Sequence, residues 1–147
     1  MTGADATEIG YFNAEARLLR ALSYYHALDL FGNVPFVTEN DPIGSFLPPQ
    51  ISRANLFNYI ESELKAIETL LKPAKSNEYA RVDASSAWAL LAKLYLNAEV
   101  YTGAAKFTEA VTYCNKIIAI SGYSLTGTYR FLFLADNNAT STSETIF

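Results

Sequence analysis

Apolar residues recur at helical spacing in four stretches of the chain, separated by segments rich in proline, glycine and polar residues. In the first, about Ala14 to Phe31, Leu18, Ala21, Leu22, Tyr25 and Leu28 fall on one face. Gly32 follows where a helix commonly ends on a left-handed residue. Val34-Pro35-Phe36-Val37 then predicts extended backbone, since proline cannot continue a helix and Val34 and Val37 are β-branched. Asn40 to Gln50, with Pro42, Gly44, Pro48 and Pro49, predicts a surface loop. The second helix follows Ser52, a good N-cap. Leu56, Ile60, Leu64, Ile67 and Leu71 make its stripe, with Asn58, Glu61, Ser62, Lys65, Glu68 and Lys72 opposite. Glu61–Lys65 and Glu68–Lys72 are i,i+4 pairs in the favourable order, and Pro73 ends the helix.

Asp83 predicts the cap of a third helix, about Ala84 to Tyr101. Ala84, Ala87, Trp88, Leu91 and Tyr95 lie on one side and Leu90 and Leu94 on another, leaving a narrow polar strip at Ser86, Lys93 and Asn97. A helix apolar nearly all round is buried between neighbours, so it marks the centre of the domain. The fourth helix, about Lys106 to Ile120, is expected to turn Phe107, Ala110, Val111, Cys114, Ile117 and Ile118 inward, with Gly122 as its stop. Beyond it come a turn-like stretch from Tyr123, a short apolar run over Tyr129 to Leu134, a polar loop from Asp136 to Ser143, and a brief strand beginning at Thr145. The pattern predicts an all-α fold, a single domain over residues 1–147, with long irregular loops.

Composition narrows the function classes. Half of the 147 residues are hydrophobic and 18% are charged, the balance of a chain that folds. A net charge of −4 leaves no basic surface for non-specific nucleic-acid binding. One cysteine, Cys114, excludes an internal disulfide, and one histidine, His26, is too few for a histidine-rich metal centre. No apolar run is long enough to cross a membrane, and Met1 to Glu8 has neither the basic region nor the apolar core of a signal peptide. Ser143 to Phe147 closes the sequence on β-formers with no turn or cap, an odd end for a domain, so a piece of a longer protein is expected.

Stacking helix pairs belong to repeat proteins, and the tetratricopeptide spacing is present. Trp88, Leu91, Ala92 and Tyr95 fit its first helix; Phe107, Ala110, Tyr113, Cys114 and Ile117 fit its second. Ala92 and Ala110 would let two backbones approach while large residues interlock around the indole. The link between these helices is longer than usual. Leu18, Ala21, Leu22 and Tyr25 with Phe57, Ile60, Leu64 and Ile67 suit a looser second pair, but its connection, Gly32 to Ser52, is far too long for an ordinary repeat. Such loops are commonly functional.

Several segments in order carry a resemblance: Glu15-Ala16-Arg17-Leu18-Leu19-Arg20-Ala21, Leu28 to Phe36, Arg81-Val82-Asp83 leading into Leu90 to Ala98, Val100 to Gly103, then Tyr129, Leu132-Phe133, Ala135-Asp136-Asn137 and Glu144 to Phe147. Over about residues 14 to 147 the chain resembles the SusD/RagB family of outer-membrane glycan-binding lipoproteins of Bacteroidetes. Leu96 to Gly103 and Phe133 to Asn137 look closer to its starch-binding member than to the family average. The resemblance implies a tetratricopeptide-like core fragment of a longer, lipid-anchored, non-catalytic protein. It also implies capture of oligosaccharide at the cell surface and a TonB-dependent transporter of the SusC type as partner. Neither a lipoprotein signal nor a lipid-bearing cysteine stands in this sequence. The rival expectation is a free-standing repeat adaptor that holds a peptide on its concave face.

No catalytic, cofactor-binding or metal residue is assigned, and the sugar contacts are expected outside this segment. Trp88, Tyr95, Tyr25, Phe107 and Tyr113 are expected in the core; the aromatics left for loops are Phe36, Phe46, Tyr79, Tyr101 and Tyr123. Glu61 and Glu63 are expected to be solvated and to point different ways, unlike the paired carboxylates of a glycosidase. Glu39 with Asp41 could hold a cation weakly, and Asp136, Asn138 and Thr140 resemble the start of a calcium loop without its glycine. Asn138-Ala139-Thr140 is also a glycosylation sequon. His26 and Asp29 have the spacing of a base and its orienter but lack a nucleophile, so His26 is expected to be structural. Cys114 is expected to be an inert core residue, and Arg17 and Arg20 to pair with acids.

Overall fold

The computed structural model describes residues 5–137 and 142–147. Helix α1 (Ala6–Phe31) begins about two turns before the point its periodicity predicts. Its first residues have no buried face, so hydrophobic spacing is silent there; Asp5 in extended conformation opens the helix and Glu8 sits near its positive end. Gly32 ends it at φ 74°, and a Cβ on that glycine would meet the Arg53 guanidinium at 2.8 Å. Two short strands follow, β1 (Val34–Pro35) and β2 (Gln50–Ile51), paired antiparallel with Val34 opposite Ile51. They close the base of the long loop.

Helix α2 (Arg53–Ile67) carries the expected Ser52 cap, whose hydroxyl accepts from the Asn55 N–H. It ends at Ile67, well short of Pro73, and just beyond it the Leu70 N–H bonds the Ile67 carbonyl three residues back rather than four. The Glu68–Lys72 pair therefore does not form. Glu68 reaches Trp88 and Lys116 instead, while Lys72 lies over the Tyr11 ring. The third predicted helix is two: α3 (Ala84–Leu96) and α4 (Ala98–Thr102), broken at Asn97, where φ is −101° and ψ 10°. Asp83 caps α3 in a capping box with Ser86 and also accepts the Lys75 N–H at 2.7 Å. Helix α5 (Phe107–Ile118) follows, then a 3-10 turn over Tyr129–Phe133. Thr145 starts no strand; polar ties from Ser124 to Ser143 and from Thr126 to Glu144 hold that segment instead of a β-ladder.

The fold is all-α, built of two antiparallel helix pairs, α1 with α2 and α3 with α5, and α2 also packs on α3 and α4. Leu56, Phe57, Ile60, Leu64 and Ile67 of α2 are fully buried, as are Leu91, Leu94 and Tyr95 of α3. The Trp88 indole is half-buried against this core, and its Nε1 donates to Glu68 at 2.9 Å. Ala92 and Ala110 lie where α3 and α5 meet.

Helix α5 departs from expectation. Ala110 and Tyr113 are buried and Ile117 half-buried, but Phe107, Val111, Cys114 and Ile118 are exposed. The helix has α3 along one side, and its apolar stripe is wider than that contact. Cys114 is thus a surface thiol rather than a core residue.

Leu91→Ala should cost about 2–5 kcal/mol, because it opens a cavity in the core at a fully buried position of α3. Urea unfolding followed by far-ultraviolet circular dichroism measures it.

Candidate functional site

The long connection between β1 and β2 is held at its base from four directions. The Phe36 N–H bonds the Pro49 carbonyl at 3.0 Å, continuing the strand pairing. The Asn33 carboxamide oxygen accepts the first N–H of α2, from Arg53, at 2.8 Å. The Tyr24 hydroxyl donates to the Val37 carbonyl at 2.7 Å and accepts the Val37 N–H at 2.8 Å, so one side chain completes a backbone pair. Arg20 forms an ion pair with Glu39. Beyond these clamps the loop presents Ile43 and Leu47, 106% and 97% exposed, with Phe46 between them. It is an apolar tip on a fixed stem.

The stem is continuous with a charged seam between α1 and α2. Glu63 receives Arg17 in a two-pronged contact at 3.0 and 2.8 Å and Arg20 at 2.9 Å. The expected acid partners of both arginines are therefore found. Hydrogen bonding from Arg17 draws the Glu63 pKa below the ordinary carboxylate range; burial opposes it and Arg20 adds to it. Tyr24, Phe36 and Tyr59 cluster beside the seam, with Phe36–Tyr59 ring centroids 4.7 Å apart. Burial, aided by the charge of Glu63, pushes the Tyr59 hydroxyl up to about 12.

Glu61 faces the other way. It accepts from Tyr95 at 2.8 Å, Lys65 at 2.8 Å and Lys106 at 3.0 Å. Burial raises its pKa, but these donors outweigh it and the net shift is downward. Glu61 and Glu63 do point apart, yet neither is solvated. Both are half-buried and fully engaged, because α2 lies between two helix partners rather than on the surface.

The loop aromatics disperse. Tyr101 is not in a loop: it is buried in α4, and its hydroxyl donates to Asp29 at 2.7 Å. That bond occupies Asp29, and His26 is an exposed residue on a cleft of about 310 Å³ between α1, α3 and the Glu144–Phe147 segment. Phe36 belongs to the cluster on the stem. Tyr79 and Tyr123 do meet, in a cleft of about 280 Å³ with Asn77 and Arg81. Several of its groups are already committed. Lys75 covers the Tyr123 ring at 4.6 Å, the Tyr123 hydroxyl bonds Ser85, the Asn77 amide serves Glu15 and the Val82 carbonyl, and Arg81 pairs with Glu15. Two exposed aromatic side chains line it, Tyr79 and Phe147.

Comparison with known proteins shows what the chain is related to. It is 41% identical over 125 residues, 85% of its length, to the starch-binding protein SusD of Bacteroides thetaiotaomicron. The chain is a SusD homologue. No family model matches it. A SusD-like carbohydrate-binding protein from Bacteroides fragilis superposes on 98% of this homologue with a TM-score of 0.79 at 20% identity, using 28% of its own chain. The surface glycan-binding protein A of Bacteroides thetaiotaomicron, solved with laminarihexaose, superposes on 91% with a TM-score of 0.70 at 23% identity, using 27% of its chain. This SusD homologue spans about a fifth of the length of the curated relatives it matches, 22% and 24%.

In this SusD homologue the proposed cation pair is otherwise engaged. Glu39 holds Arg20, and Asp41 accepts the Thr38 N–H and hydroxyl at 2.7 and 3.2 Å. Asn138 and Thr140, of the calcium-like loop and the sequon, lie outside the described residues. No trio of His, Cys, Asp or Glu among the described residues is placed to hold a metal ion. Sequence reading missed the Tyr24, Asn33 and Glu39 clamps, since each acts across a connection of no regular period.

The depressed Glu63 carboxyl sets a pH dependence. Its stabilisation is complete above the ordinary carboxylate range and is lost as pH falls through the depressed value. Glu63→Gln should cost roughly 1–2 kcal/mol at pH 7 and flatten the loss of stability on acidification. Urea titrations at a series of pH values test both effects.

Proposed function

We propose that this chain is the helical scaffold of a longer, non-catalytic protein that captures oligosaccharide at the bacterial surface and passes it to a TonB-dependent transporter of the SusC type. The observation that carries the reading is the 41% identity to a starch-binding protein across most of the chain. In the longer protein we place the sugar contacts largely outside these residues. Of the aromatics within them, Phe57, Tyr95 and Tyr113 are taken up by the core, Tyr24, Phe36 and Tyr59 by the loop stem, and the Tyr123 ring is covered by Lys75. Anchoring by lipid belongs to the same proposal, and among the described residues no helix is long and apolar enough to cross a membrane.

The clamped loop is the contact we assign to the transporter. Its apolar tip needs no charged partner, since Glu39 and Asp41 are used internally, and residues 37–52 contain no lysine or arginine to attract anionic lipid headgroups.

Calorimetry with maltooligosaccharide should give feeble or no binding to the 147-residue chain and measurable binding to the longer protein. Micromolar affinity in the short chain would move the sugar site into these helices. Replacing Ile43 and Leu47 together with serine should leave the melting temperature within about 1 °C, because both side chains are in solvent, while reducing co-purification of the transporter at least tenfold from outer membranes. Unchanged co-purification sinks the assignment of the loop.

A further inference from the structure

Helix α5 exposes an apolar face. Phe107, Val111, Cys114 and Ile118 stand at i, i+4, i+7 and i+11, so they form one ridge along the whole helix. They are not scattered surface residues: Phe107 is 53% exposed, Val111 58% and Ile118 77%. Leu96 of α3, 60% exposed, continues the apolar surface across the pair. Between the two helices runs a trough of about 440 Å³, floored by Ala92 and Ala110 and walled by Leu96, Phe107, Val111 and Cys114, with Lys93 at its rim. The small floor residues leave room for a third backbone, and a ridge beside a groove is the surface that helix–helix packing uses. The trough lacks the amides and carboxylates that reach sugar hydroxyls, so its chemistry selects an apolar helix face. Twelve residues of α5 run about 18 Å, the length of three helical turns.

In helical-repeat proteins the outer face of a terminal repeat is polar, and an apolar outer face is covered by the next repeat. The relatives supply the candidate cover: this chain accounts for 22% of the starch-binding protein and about 30% of the solved neighbours. We infer that the α3–α5 trough seats an amphipathic helix contributed by the remaining length of the longer protein. The inference rests on the reading of this chain as a scaffold segment.

Cys114 reports on the trough directly, because it is the single cysteine of the chain and sits in the wall. The test expresses the 147-residue chain and the complete reading frame that contains it, then measures maleimide labelling of the Cys114 peptide by mass spectrometry under native conditions. The short chain should label at nearly its urea-denatured rate, and the complete protein about a hundredfold more slowly, the protection given by a docked element that opens rarely. Val111→Glu should restore fast labelling in the complete protein and leave the melting of the short chain unchanged. Equal labelling in both proteins overturns the inference, as does a reading frame with no further helical segment. Slow labelling in a short chain that sediments as a dimer overturns it in favour of a second copy. Oligosaccharide calorimetry on the complete protein is a separate readout: its failure would sink the glycan proposal and leave the labelling result standing.

Discussion

Helix α2 is the member on which both pairs depend, because it must satisfy charge as well as hydrophobic contact on two sides. Its stripe Leu56, Ile60, Leu64 and Ile67 is fully buried, and its carboxylates are distributed around that stripe. Glu63 faces α1 and gathers Arg17 and Arg20, whereas Glu61 and Glu68 face α3 and α5 and gather Tyr95, Lys106, Trp88 and Lys116. A half-buried carboxylate without donors would be costly, so each acid selects the register in which its partners reach it. Hydrophobic burial holds the helices together; these contacts fix how they are rotated and offset.

The same arrangement connects the scaffold to its loop. Arg20 shares its guanidinium between Glu63 on α2 and Glu39 beyond β1, so the α1–α2 seam and the loop stem are one network. Tyr24, one turn further along α1, fixes Val37 by both backbone groups. A long connection would ordinarily sample many conformations, and the loss of that freedom is offset here by contacts at its base alone. The apolar tip is left free and held in place, an arrangement suited to presenting a surface to another molecule.

Burial is unequal between the two helix pairs. The α1–α2 pair and the facing sides of α3 and α5 form a closed core, whereas the outer side of α5 carries a complete apolar ridge in solvent. Among the described residues the ridge is exposed, and the curated relatives are several times longer than the matched segment.

Sequence alone determined the helix pairs, their buried stripes, the caps at Ser52 and Asp83 and the stop at Gly32, because each is written in local periodicity or in one residue's own chemistry. The family was legible as well, since its segments recur in order. Tertiary structure decided the rest. Whether Glu61 and Glu63 met water or a neighbouring helix depended on what packed against α2, which its own pattern does not encode. The break at Asn97 put Tyr101 within reach of Asp29, and the early end of α2 sent Glu68 to Trp88 instead of Lys72. Helix α5 shows the limit most sharply: amphipathic spacing identifies the face that wants a partner, but only the three-dimensional arrangement reveals whether a partner is there.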